Sequence, residues 1–186
     1  MTKPLPIYII MLMLFVASFP VQTVSAQSRN DVEKSTDIVM LLPGAIGAAA
    51  AVVEKDGKGF LQLVESEAAS VAVAYLLKYT VEKRRPDGSD MHSFPSNHMG
   101  IAVSGATFLQ RRYGWKLGVP AYALSTYVAW GRIYAKRHDV WDVLAGTAIG
   151  IGSALVFTRP FAEKNKIVVA PMAWPDGGGL MFTMNL

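Results

Sequence analysis

The chain has 186 residues, of which 52% are hydrophobic and 17% charged, with a net charge of +4 and no cysteine. One substantial core fits that length, the small, dispersed charge excess argues against a nucleic-acid partner, and disulfides and thiolate metal sites are excluded. The apolar bias points to a helical protein of the cell envelope.

The N-terminus fits that reading. Lys3 precedes the apolar run "IYIIMLMLFVASFP", and Val24 and Ala26 stand where a signal peptidase accepts small residues. Residues 1–26 therefore read as a signal peptide. Residues 27–59 hold a polar leader, "QSRNDVEKST" (27–36), taken as loose, and a first helix over 37–53 that Pro43 and Gly44 bend. "EKDGKG" is a turn. A second helix runs over 60–83, with Glu65 and Glu67 early and the basic stretch Lys78 to Arg85 at its end, the order that a helix dipole favours. Pro86 stops it. A third helix starts at Asn97 and halts at Gly114, a fourth covers 116–137 and a fifth 140–157.

Gly146 and Gly150, with Ala148 and Gly152, offer a small-residue face for close helix contact. The tail, 161–186, reads as two short strands around "PDGGG". No repeat or second domain is apparent. The fold class is all-α: about five apolar helices in a compact bundle, with a strand-like tail. Uncharged stretches of roughly 15 to 17 residues fall short of the ~20 expected for a span. A spanning arrangement would, however, set "RRYGWK" on the cytoplasmic side as the positive-inside rule prefers. The balance favours a membrane-embedded or membrane-hugging bundle.

Three polar clusters interrupt the apolar helices. In "KYTVEKRRP", Lys78 and Arg85 are seven apart, two helical turns on one face; alone, this is an ordinary basic helix end. In "SFPSNHMG", Ser96 is a natural N-cap, and the amides of Asn97 and His98 face outward at the positive dipole end; alone, this is an ordinary capped helix. "GRIYAKRHDVWDV" (131–143) places Arg132, His138 and Asp142 between two apolar stretches, the last two four residues apart. The helix order brings all three clusters to one end of the bundle. There, cations, outward amides, two histidines and a carboxylate suit a tetrahedral oxyanion with acid–base and nucleophilic chemistry.

On these residues the sequence resembles the type 2 phosphatidic acid phosphatase (PAP2) superfamily, which also holds bacterial class A acid phosphatases and vanadium haloperoxidases. Lys78 to Pro86 matches the family's first motif in full; "PSNH" (95–98) matches the second with Asn97 in place of Gly; 131–142 matches the third with Gly131 in place of Ser. The likeness extends over about 60–160. It implies that His138 attacks phosphorus and becomes a phosphohistidine, that Asp142 accepts a hydrogen bond from its other ring nitrogen, and that His98 protonates the leaving oxygen. Lys78, Arg85, Ser96, Asn97 and Arg132 would hold the phosphoryl oxygens.

The implied activity is metal- and cofactor-free hydrolysis of a phosphate ester, with a membrane lipid such as a phosphatidate, a polyprenyl diphosphate or a lipid A phosphate as substrate. It would take place at the inner membrane, with the site facing the periplasm. A soluble periplasmic acid phosphatase, a vanadate-dependent haloperoxidase and an inactive binding relative are the alternatives. No protein partner is inferable. His92, in a short loop, reads as an exposed histidine, and solvation is the default for Lys83, Arg84, Lys136, Arg137 and Asp139. Trp130 and Trp141 read as packing or interfacial aromatics.

Overall fold

The computed structural model describes residues 28–161, 167–174 and 177–184; the signal-peptide expectation for 1–26 lies outside the described residues. Six helices are described: α1 (Arg29–Val39), α2 (Leu42–Val53), α3 (Gly57–Thr80), α4 (Asn97–Tyr113), α5 (Trp115–Tyr134) and α6 (Val140–Phe157). They are followed by β1 (Ile167–Trp174) and β2 (Gly177–Met184), paired antiparallel as a hairpin with Ile167 opposite Met184.

The polar leader is not loose. Ser28 caps α1 by accepting the Asp31 N–H at 3.3 Å, and Asp31 in the first turn favours the dipole. Val32 and Thr36, one turn apart, are both buried, so α1 has its own core-facing stripe. The chain breaks between α1 and α2 at Met40–Leu41, ahead of the expected bend; Pro43 sits in the first turn of α2, where its missing N–H costs nothing. The second predicted helix also shifts. Asp56 accepts the Gly59 N–H at 2.9 Å and starts α3 early. It ends at Thr80 because the following residues are drawn into an extended strip: the Lys83 N–H donates to Met91 O, the Arg85 N–H to Asp90 O and the Ser93 N–H to Lys83 O.

α4 is the central helix, with Met99, Ala102, Val103, Ala106, Phe108 and Leu109 all buried. It packs on α2, α3, α5 and α6 and stops at Gly114, whose φ of 93° suits glycine. Two residues of the predicted small-residue face make the α4–α6 contact: a Cβ on Gly146 would meet Ser96 O, and one on Gly150 would meet Gly100 O at 2.6 Å. Ala148 instead faces outward and Gly152 meets nothing within 4 Å.

Among the described residues, three stretches, Arg29–Val53, Gly57–Thr80 and Val140–Phe157, are long and apolar enough to cross a membrane. The 24 residues of α3 extend ~36 Å, against a hydrocarbon core of ~30 Å; the shorter spans expected from the sequence did not count residues flanking Glu65 and Glu67. Leu61, Leu76, Leu144 and Val156 are among many large apolar side chains that face outward.

At one pole the bundle is tied by a buried ion pair. Arg112 donates to both oxygens of Asp56 (2.6 and 2.7 Å) and to Arg159 O, and Tyr113 OH donates to Asp56 at 3.0 Å. This clasp joins the start of α3 to the ends of α4 and α6. The three polar clusters lie at the other pole.

Candidate active site

α4 and α6 start side by side at this pole, since the Ser96 N–H donates to Asp142 O at 3.0 Å. Lys78, in the last turn of α3, reaches under the connecting loop and donates from Nζ to His92 O (2.7 Å) and Pro95 O (3.0 Å). His98 and His138 approach with ring centroids 6.4 Å apart. Arg132, in the last turn of α5, is 2% exposed, and its carbonyl accepts the His138 N–H at 3.3 Å. Arg85 grips both oxygens of Asp90 from Nε (2.8 and 2.7 Å) and donates from Nη1 to Arg137 O. Residues far apart in sequence thus meet at one pole.

The partners of Asp142 differ from the expectation. Its Oδ2 stands 3.6 Å from His138 Nδ1, too long for a hydrogen bond. The carboxylate, fully buried, instead accepts from Lys83 Nζ at 2.7 Å, Ser93 Oγ at 2.5 Å and the Asp139 N–H at 3.1 Å. Asp139 caps α6 by accepting the Trp141 and Asp142 amides and also pairs with Lys83 at 2.6 Å. Lys83 and Asp139 are therefore structural partners of the predicted carboxylate rather than solvated charges. Arg137 likewise pairs with Glu33 (3.1 Å) and Asp87 (2.9 Å), while Arg84 and Lys136 do face solvent.

Ser96 occupies the N-cap position of α4, but its hydroxyl makes no cap bond. Its Oγ, Asn97 Oδ1, Arg132 Nε and His138 Nδ1 are buried without a protein partner. Such atoms are rare in folded proteins unless a ligand uses them or a chemical step needs them. All four belong to the second and third motifs. Burial pushes the His138 imidazole below its ordinary pKa; the Asp142 carboxylate opposes this, and the cations Arg85, Arg132 and Lys78 add to it. The shift favours the neutral form of the ring. Lys83 shifts the other way: burial opposes its charge, but the pairs with Asp139 and Asp142 outweigh it and raise its pKa.

α1 contributes residues that the motifs did not reveal. Asp37 Oδ1 lies 2.8 Å from His98 Nε2 and 2.7 Å from Arg132 Nη1, and Thr36 Oγ1 accepts from Arg132 Nη1 at 3.3 Å. The departure at Gly131 has the same origin: a Cβ there would collide with Thr36 Cγ2 and stand 3.1 Å from Val32 Cγ1. The sequence signal was present, since Glu33 and Asp37, like Val32 and Thr36, are one turn apart.

The loop histidine His92 is half-buried, its ring edge-on to Tyr79 at 5.4 Å. Trp130 stacks on Tyr134 at 5.2 Å, and Trp141 is strongly exposed beside the site.

The family model of the PAP2 superfamily matches residues 59–166. A lipid A 4'-phosphatase of Helicobacter pylori is 29% identical over 143 residues, covering 71% of this chain and 72% of that protein. A lipid A 1-phosphatase of Porphyromonas gingivalis is 36% identical over 77 residues, 40% of this chain and 17% of that one. The crystal structure of Aquifex aeolicus LpxE shares the fold, with a TM-score of 0.53 at 16% identity over 79% of this chain and 92% of that one.

Proposed function

The chain belongs to the PAP2 superfamily, and from that premise we propose that it hydrolyses the phosphate ester of a membrane lipid, a lipid A phosphate first among the candidates, through a phosphohistidine on His138. One observation carries the reading: two imidazoles lie 6.4 Å apart, with a buried arginine that shares Asp37 Oδ1 with one of them, a spacing that admits one phosphoryl group between nucleophile and acid.

In the proposed reaction, neutral His138 attacks phosphorus in line. Asp142 closes its 3.6 Å gap to Nδ1 as positive charge develops on the ring, the orienting role of a triad carboxylate. His98 gives a proton to the leaving oxygen as the P–O bond breaks, then takes one from the water that releases phosphate from His138. Lys78, Arg85, Arg132, Ser96 and Asn97 hold the equatorial oxygens, where charge concentrates. No metal takes part in these steps.

The apolar exterior supports association with a bilayer. Tyr79, Trp130, Tyr134 and Trp141 are exposed around the site pole, the level at which amphipathic aromatics mark a membrane–water interface. α1 follows the signal-like leader directly and supplies residues to this pole, which supports an exported, periplasm-facing site. The relatives named above as lipid A phosphatases, the larger match among them most of all, support the lipid class.

The test is a phosphate-release panel with purified protein in detergent, comparing lipid A, phosphatidate and polyprenyl diphosphate with soluble esters. Release from a lipid that disappears in His138→Ala is expected. Release confined to soluble esters, or surviving in His138→Ala, contradicts the proposal.

A further inference from the structure

The predicted acid, His98, has a neighbour that no motif supplies. Asp37 reaches in from α1 and touches both His98 Nε2 (2.8 Å) and Arg132 Nη1 (2.7 Å) through one oxygen. The helix holding it is anchored: Val32 and Thr36 are buried against Gly131, and Glu33 pairs with Arg137. Asp37, itself half-exposed, is thus carried on an anchored helix.

We propose that Asp37 is the positioning residue of the leaving-group acid, pairing with His98 as a triad carboxylate pairs with its histidine. This rests on the phosphatase reading given above. Burial, with Arg132 and His138 nearby, pushes the His98 imidazole down to about 4, and the Asp37 carboxylate at hydrogen-bond distance opposes that push and keeps the acid form within reach. With Nε2–H donated to Asp37, Nδ1 is the nitrogen left to serve the leaving oxygen. The proton balance follows. Doubly protonated His98 gives its Nδ1 proton to the alkoxide oxygen as the P–O bond breaks, and remains as the Nε2–H tautomer bound to Asp37. It recovers the Nδ1 proton from the water that attacks phosphohistidine. The site then holds two histidine–carboxylate pairs, His138–Asp142 for the nucleophile and His98–Asp37 for the acid.

The experiment measures phosphate release by the full chain in detergent, for wild type, Asp37→Asn, Asp37→Glu and His138→Ala. The substrates are a short-chain phosphatidate and p-nitrophenyl phosphate, whose phenolate leaves without a proton. In Asp37→Asn, kcat on the phosphatidate falls by about 10²-fold, KM does not rise, and the alkaline limb of the pH–rate profile moves to lower pH. p-Nitrophenyl phosphate turnover by the same preparation changes by less than about threefold, which a merely unfolded or displaced α1 would not allow. Asp37→Glu restores the alkaline limb. Equal losses on both substrates, an unmoved alkaline limb, or faster turnover in Asp37→Asn (Asp37 then being a plug across Arg132) overturn the assignment while leaving the phosphatase reading standing. Absence of His138-dependent release in the wild type overturns both.

Discussion

Gly131 is the position where restoring the family residue is expected to do harm. A serine Cβ there would overlap Thr36 Cγ2 and press on Val32 Cγ1 at 3.1 Å, and both side chains are fully buried, so neither can swing into solvent. Overpacking of this kind costs about 1–3 kcal/mol. At roughly 2–4 °C per kcal/mol for a chain of this size, the midpoint of thermal unfolding in detergent should fall by several degrees in Gly131→Ser. The strain is relieved by removing what it strikes: in Thr36→Ala the remaining Cβ is 3.8 Å from the new one, an ordinary contact, and the vacated space takes the serine hydroxyl beside Arg132. Thr36→Ala alone loses a buried methyl, about 0.8 kcal/mol, and a hydrogen bond to Arg132. The double variant Gly131→Ser/Thr36→Ala should therefore be more stable than the sum of its parts, with a coupling of about 0.5–3 kcal/mol. Activity follows the same pattern, because displacing Thr36 moves Asp37 off His98. Unfolding midpoints and phosphate release for the four proteins complete the cycle. A Gly131→Ser protein as stable as wild type, or strict additivity, would refute the packing argument.

Other expectations follow from the same geometry. Lys83→Met strips Asp142 of its cation and leaves Ser93 as its remaining side-chain donor, so kcat/KM for phosphate release should drop by about tenfold; unchanged kinetics would deny Lys83 a part in holding the carboxylate. Because His138 is kept below its ordinary pKa, the acid limb of kcat/KM should lie below about 6.5. Arg85→Gln removes one of the cations responsible and should move that limb upward; a downward move contradicts the stated cause. At the opposite pole, Arg112→Leu leaves the buried Asp56 carboxylate unpaired and should cost about 3–5 kcal/mol, measured by denaturation, while the turnover of folded molecules stays near that of wild type. Arg112→Lys should recover only part of that stability, since an ammonium does not reproduce the two parallel bonds; full recovery would show that charge alone suffices.

Features set by local pattern were readable from the sequence. α6 occupies the predicted 140–157 because Asp139 caps it and an uninterrupted apolar run follows. α4 was marked by the Pro95–Ser96 entry and the Gly114 exit. The eight motif residues gather at one pole because helix order and helix length alone decide which ends meet. Features set by contacts between elements were not readable. Residues 29–36 of α1 read as a loose polar leader, and their Val32–Thr36 stripe gains meaning only once Gly131 supplies the groove. Asp37 carried no motif, so its reach to His98 depends on how α1 leans on α5. Lys83 and Ser93 converge on Asp142 through the extended strip after α3, a conformation that a basic helix end does not suggest. The Ser96 hydroxyl, placed as a cap by its sequence, instead makes no cap bond and is buried without a partner.

The account turns on a covalent intermediate, and trapping it is the decisive measurement. Purified protein is mixed with lipid A or phosphatidate carrying labelled phosphorus, quenched in alkali within milliseconds, and digested for peptide mapping. The structure predicts an alkali-stable, acid-labile label on His138 that is absent in His138→Ala. Hydrolysis that proceeds without a labelled protein, or with the label on any other side chain, would contradict it.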